Sequence, residues 1–200
     1  MSDKSKKHLA ILTAARVLFH RYGFKKVSIE EICEEAGTSK MTFYKDFENK
    51  HTLAKAVLDH VVTEGVVMFK SIMEKSADCY EKINDIIRMK HSQQTNLGEI
   101  FLEDILSDHV LKEHLFSKQV ENVELTITLF KLVKKEGVLR KGITSEYFIY
   151  LLDVYAKLYQ DKGMMHLFPD VHERTEQIMN LFFFGISRPE NHNVKNGGKK

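Results

Sequence analysis

The chain has 200 residues, 43% of them hydrophobic, with only two prolines and ten glycines. That excludes a wholly disordered chain and leaves room for long helices in one large domain, or in two that share a core. Net charge is only +2, yet residues 1–50 sum to +3, residues 188–200 to another +3, and the stretch between to −4, so a basic head sits on an acidic body, as suits a protein that touches phosphate at one end.

Helical spacing governs the chain from its start. Ile11, Ala15, Leu18, Phe19 and Tyr22 form one apolar stripe, which Gly23 ends. Ser28 with Glu31 makes a capping box for a second helix carrying Ile29, Ile32, Cys33 and Ala36, and Gly37 stops it within two turns. Thr38 and Ser39 offer a new cap for a short third helix over Met41–Phe47, with Phe43 and Phe47 on its inner face. Asn49 caps a long fourth helix over about 50–75, striped by Leu53, Val57, Val61 and Ile72. Further helices are expected near 79–93, 98–107, 109–136, 144–162 and 170–186, with breaks at Gly137, Gly142, Gly163 and Pro169. The total is about nine helices in an all-α chain. Beyond Arg188, Asn, Gly and Lys replace apolar residues, and a disordered tail is expected over 188–200.

No apolar run reaches the ~18 residues of a membrane span. The basic start leads into no apolar signal core. Cys33 and Cys79 form no metal-like spacing. A cytoplasmic protein without cofactor is the expectation.

The stretch Ser28 to Phe47 carries the functional signal. A two-turn helix, a tight Ala36-Gly37-Thr38-Ser39 turn and a second short helix make a helix-turn-helix. In such a unit the first helix braces across the DNA backbone and the second enters the major groove. Phe43 and Phe47 hold the second helix to the core, which leaves Ser39, Lys40, Thr42, Tyr44 and Lys45 facing outward.

The run Ile11 to Phe19, then Tyr22-Gly23-Phe24, Val27-Ser28-Ile29, Ile32, Ala36-Gly37-Thr38-Ser39, Thr42-Phe43-Tyr44, Phe47, Asn49-Lys50 and Leu53 resembles the TetR family of transcriptional repressors. The resemblance covers the first quarter of the chain without a gap. It implies that Ser28 bonds a phosphate through its hydroxyl and its helix end. Ser39 and Thr42 would reach phosphates or base edges, Tyr44 would place its hydroxyl on a phosphate, and Lys50 would be a phosphate-binding lysine. Lys40 and Lys45 are candidates for base or phosphate contact. Met41 departs from the family's small residue or proline and offers an apolar surface for a thymine methyl. Asp46 stands where an aromatic or histidine is frequent, and an acid there counts against a DNA contact at that position.

The resemblance also implies a head of residues 1–48 and a helical body of 49–187 for ligand binding and dimerisation. A homodimer would form through the last two long helices, with Phe148, Leu152, Tyr155, Ile178, Leu181, Phe182 and Gly185 as interface candidates. Met68, Phe69, Ile72, Phe101, Phe116 and Tyr155 are candidates to line a pocket for a small-molecule effector, although each also suits a plain core. Such a protein binds double-stranded DNA at a palindromic operator and needs no membrane. His109, Glu113 and His114 invite a metal, but on a helix His114 is rotated about 140° from His109, and no metal site is expected. No nucleophile with its base, glycine-rich phosphate loop or paired carboxylates point to catalysis. An interaction module whose helix-turn-helix no longer binds DNA, and a helical enzyme without a recognisable motif, stay open as alternatives.

Overall fold

The computed structural model describes residues 3–121, 123–158 and 161–186. The expected disordered tail over 188–200 lies outside the described residues. Among the described residues there are eleven helices. The head holds α1 (Asp3–Tyr22), α2 (Ile29–Glu35), α3 (Lys40–Asp46) and the start of α4 (Lys50–Glu74). There follow α5 (Cys79–Leu97), α6 (Glu99–Ser107), α7 (His109–Glu121) and α8 (Val123–Lys135), then α9 (Ser145–Leu158), α10 (Lys162–Leu167) and α11 (Val171–Ile186).

The stretch 109–136, expected as one helix, is described as α7 and α8 on either side of residue 122, which lies outside the described residues. Gly163 is not a break: it lies inside α10, a short helix capped by Asp161, whose carboxylate accepts the Met164 N–H at 3.0 Å. Gly137 and Gly142 do break the chain, at φ of +67° and +90°, where a side chain would be strained.

Two compact units emerge, one of residues 1–70 with 89–122, the other of residues 71–88 with 123–200. The division into these units falls within α4 and α5. In the first unit, Ile11, Ala15 and Phe19 of α1 are fully buried against Ile32 of α2, Phe43 of α3, Leu53 of α4, Phe101 and Ile105 of α6 and Leu111 of α7. Burying each such side chain contributes about 1.5–3 kcal/mol before chain entropy is set against it. The α1 stripe stops short of its expected end, because Tyr22 is 48% exposed. α6 approaches α1 closely. A side chain on Gly98 would meet the His20 carbonyl oxygen at 2.5 Å, so only glycine allows the contact.

The second unit is built on a run of rings. Phe130 of α8 meets Phe148 of α9 at 5.4 Å, Phe148 meets Phe182 of α11 at 5.3 Å, and Phe182 meets Phe183 at 5.1 Å. These tilted and edge-on pairings suit the aromatic quadrupole. Arg174, in the first turns of α11, is buried. It donates from Nη1 to the Phe168 carbonyl at 2.8 Å, which closes the end of α10.

Candidate nucleic-acid interface

The start of α2 is fixed by a reciprocal cap. Ser28 Oγ accepts the Glu31 N–H at 3.2 Å, while Glu31 Oε2 accepts both the Ser28 N–H and its hydroxyl at 2.7 Å. These bonds favour the ionised carboxyl and hold Glu31 below the usual carboxylate range. In this arrangement the Ser28 hydroxyl is already committed to Glu31. The end of α2 is closed by Gly37 at φ +60°, with the Gly37 N–H donating to Glu34 O at 3.1 Å and the Thr38 N–H to Cys33 O at 2.9 Å. That paired closure turns the chain sharply into α3.

Of the two expected caps, Ser39 is the one used. Its Oγ accepts the Thr42 N–H at 3.2 Å and lies 3.1 Å from the Thr42 hydroxyl. Phe43 and Phe47 are buried, and the opposite face of α3 is open to solvent. Met41 is 72% exposed and Tyr44 56%, with Lys40 and Lys45 also exposed. Lys40 donates to Glu30 of α2 and is drawn above its usual pKa by that contact. Both partners are solvent-exposed, so the pair is readily exchanged for a phosphate.

Asp46 does not face outward. Its side chain is only 7% exposed and lies 3.5 Å from Nδ1 of His8, whose ring stacks on Phe47 at 4.8 Å. The acid that counted against DNA contact therefore belongs to the seam between α1 and α3. Sequence reasoning missed this pairing, because nothing local links position 8 to position 46.

Lys50 is placed differently from its neighbours. Its ammonium donates to the Phe24 and Val27 carbonyls, each at 2.7 Å, with the Lys25 carbonyl at 3.4 Å. The Phe24 ring lies beneath it at 4.5 Å. Burial pushes its pKa down.

The comparisons with known proteins bear on this head. Residues 11–57 match the family described as bacterial regulatory proteins, tetR family. The head of this chain is thus similar to the TetR family over residues 11–57. A relative in Lactococcus lactis subsp. lactis, an HTH-type transcriptional regulator in the lacX 3′ region, is 30% identical over 59% of this chain. The HTH-type transcriptional regulator EthR of Mycobacterium tuberculosis is 31% identical over 36% of this chain. The matched stretches span about half of the first relative's length and a third of the second's, 53% and 33%. In fold, the chain is similar to a transcriptional regulator from Cytophaga hutchinsonii, with a TM-score of 0.70 at 17% identity, over 89% of this chain and 97% of that one. All three are named as regulators of transcription.

Outside the head, the residues expected from the family resemblance scatter. Phe101 is 1% exposed and meets Phe19 at 5.0 Å in the core beneath α1. Met68, at 43% exposure, faces solvent. Met68, Phe69, Phe101 and Phe116 fall in the first unit, Ile72 and Tyr155 in the second. The interface candidates divide as well. Phe148, Ile178 and Phe182 are buried within the protomer. Leu181 is 58% exposed and Gly185 exposed, while Leu152 and Tyr155 are half-buried. Periodicity missed Tyr147 and Tyr150 as surface residues, at 47% and 62% exposure. His114 lies 2.8 Å from Asp59 of α4, apart from the exposed His109–Glu113 pair.

Proposed function

We propose that this protein is a homodimeric, sequence-specific DNA-binding repressor, with residues 1–48 as its DNA-binding domain and residues 49–187 as its ligand-binding and dimerisation domain. The observation that carries the reading is the outer face of α3, where Lys40, Met41, Thr42, Tyr44 and Lys45 surround no core and Phe43 anchors the helix from behind. Lys40 and Lys45 supply phosphate or guanine contact, Ser39 and Thr42 supply hydroxyls, Tyr44 reaches a phosphate and Met41 packs on a thymine methyl. Ser28 joins them by exchanging Glu31 for a phosphate at the start of α2.

α9 and α11 support a dimer, because each carries apolar groups on its solvent side. Tyr147, Tyr150, Leu151 and Val154 on α9 follow helical spacing, and Leu181, Phe184 and Gly185 do so on α11. An apolar face of this kind marks an association surface. A twofold dimer sets the two recognition helices about 34 Å apart, or a multiple of it, and so selects a palindrome. A small molecule that binds the released state better than the DNA-bound state then lifts repression in the cytoplasm.

The test is titration of the purified protein against DNA from its own genomic neighbourhood and against random DNA, across a range of salt. Tight, salt-sensitive binding to a palindrome supports the reading. Binding no better than random sinks it in favour of an interaction module.

A further inference from the structure

Lys90 of α5 stands on the inward line of its helix. At ~3.6 residues per turn it falls within about 20° of Cys79, Ile83 and Leu97, and all three are buried. One turn to either side stand Ile86, Ile87, Gln93 and Gln94, so α5 itself offers the ammonium no carboxylate. Gln93 is spent on α4. Its Nε2 donates to the Val61 carbonyl at 3.2 Å, and it packs so closely on Gly65 that a side chain there would overlap it. Among the described residues, no ion pair or hydrogen bond reaches the Lys90 ammonium, and burial alone pushes its pKa down. Yet the Lys90 side chain keeps accessible surface, unlike the residues in line with it. A side chain enclosed by protein, on the inward line of its helix and still accessible, faces a space inside the molecule. An ammonium held there without a counter-ion is costly, and a bound anion removes that cost.

Building on the reading above that a small molecule lifts repression, we propose that Lys90 binds an amphipathic anion, and that this anion is the effector. A carboxylate pairs with the ammonium, and an apolar body suits the isoleucine and leucine side chains in line with it. One lysine matches the single charge of a carboxylate better than the roughly two charges of a phosphate monoester. A neutral molecule of the same shape leaves the ammonium unpaired, and a cationic one is repelled by it.

The experiment uses decanoate, decanol and decyltrimethylammonium, which share a chain and differ in charge. Each is titrated calorimetrically, below its micellar concentration and without DNA, into wild type, Lys90→Met and Lys90→Arg. Wild type is expected to bind decanoate at least about tenfold more tightly than decanol, and to bind the cation more weakly than either. Lys90→Met is expected to lose that preference, while Lys90→Arg keeps it. Decanoate that wild type binds no more tightly than decanol overturns the proposal, as does decanoate affinity unchanged in Lys90→Met. A second readout needs no ligand. Methionine is of similar length and needs no counter-ion, so Lys90→Met alone is expected to melt about 2–4 °C above wild type. An unchanged or lower melting temperature overturns the claim that the ammonium stands unpaired. Decanoate is then added to the protein on its selected DNA, and release is the expected result. Binding through Lys90 without release defeats the effector reading instead, and leaves the anion site standing.

Discussion

The α2–α3 pair and the α9–α11 pair are both anchored by buried aromatic side chains, yet they present opposite surfaces. Phe43 holds α3 as Phe148 holds α9, each with no exposed area. Opposite these anchors, α3 shows lysines, hydroxyls and one tyrosine, while α9 and α11 show Tyr147, Tyr150 and Leu181. An anchor thus says how a helix is held and nothing about what it meets. The outer face carries that information: α3 offers cations and hydroxyls, whereas α9 and α11 offer rings and an aliphatic side chain.

The comparison is tested most severely at the anchors. Phe43→Ala and Phe148→Ala are each expected to cost about 3–5 kcal/mol in urea denaturation, since each leaves a cavity in a filled core. A loss below ~1 kcal/mol at either site would mean that the helix is held by something else. At the outer faces the expectation separates. Leu181→Glu leaves protomer stability within about 0.5 kcal/mol, but it buries an unpaired charge in any dimer. Self-association should weaken by about 100-fold or more, visible by sedimentation; an unchanged dimer would place the interface elsewhere. Ser39→Ala removes the α3 cap and is expected to cost about 1 kcal/mol in thermal or urea melts.

The smallest effect is expected between α1 and α4, where Arg16 donates to both oxygens of Glu64 at 2.9 and 3.0 Å. Arg16 draws the Glu64 pKa below its ordinary 4.5. A carboxyl lowered on folding stabilises the protein fully above its unfolded pKa, and that gain disappears as pH falls through the lowered value. Because both groups are substantially exposed, the contribution is roughly 0.2–1 kcal/mol. Stability curves of wild type and Glu64→Gln should therefore differ near neutral pH and converge in acid.

What the sequence disclosed follows from the range of its signals. The cap at Ser28, the glycine closures at Gly23 and Gly37 and the stripe of α1 act within a few residues, so the first four helices were readable in order. The short α10 was not, because its cap at Asp161 falls beside Gly163, which reads as a break. Periodicity marks apolar faces but does not say which one its own protomer covers, and α9 and α11 are apolar on several faces. Hence the same pattern names Phe148, Ile178 and Phe182, which are buried, alongside Leu181, which is exposed. The pairings of His8 with Asp46 and of Lys50 with the 24–27 carbonyls join distant positions through the fold, where no local pattern points.

The first compact unit is discontinuous along the chain. Residues 1–70 form it only with residues 89–122, and Phe19 rests on Phe101. A fragment ending at residue 48 would uncover that ring and discard Leu53, Ile105 and Leu111 from the same core. Heads of this kind are therefore not interchangeable cassettes. A hybrid regulator that borrows this recognition helix must also borrow α6 and α7, or redesign the surface on which α1 rests.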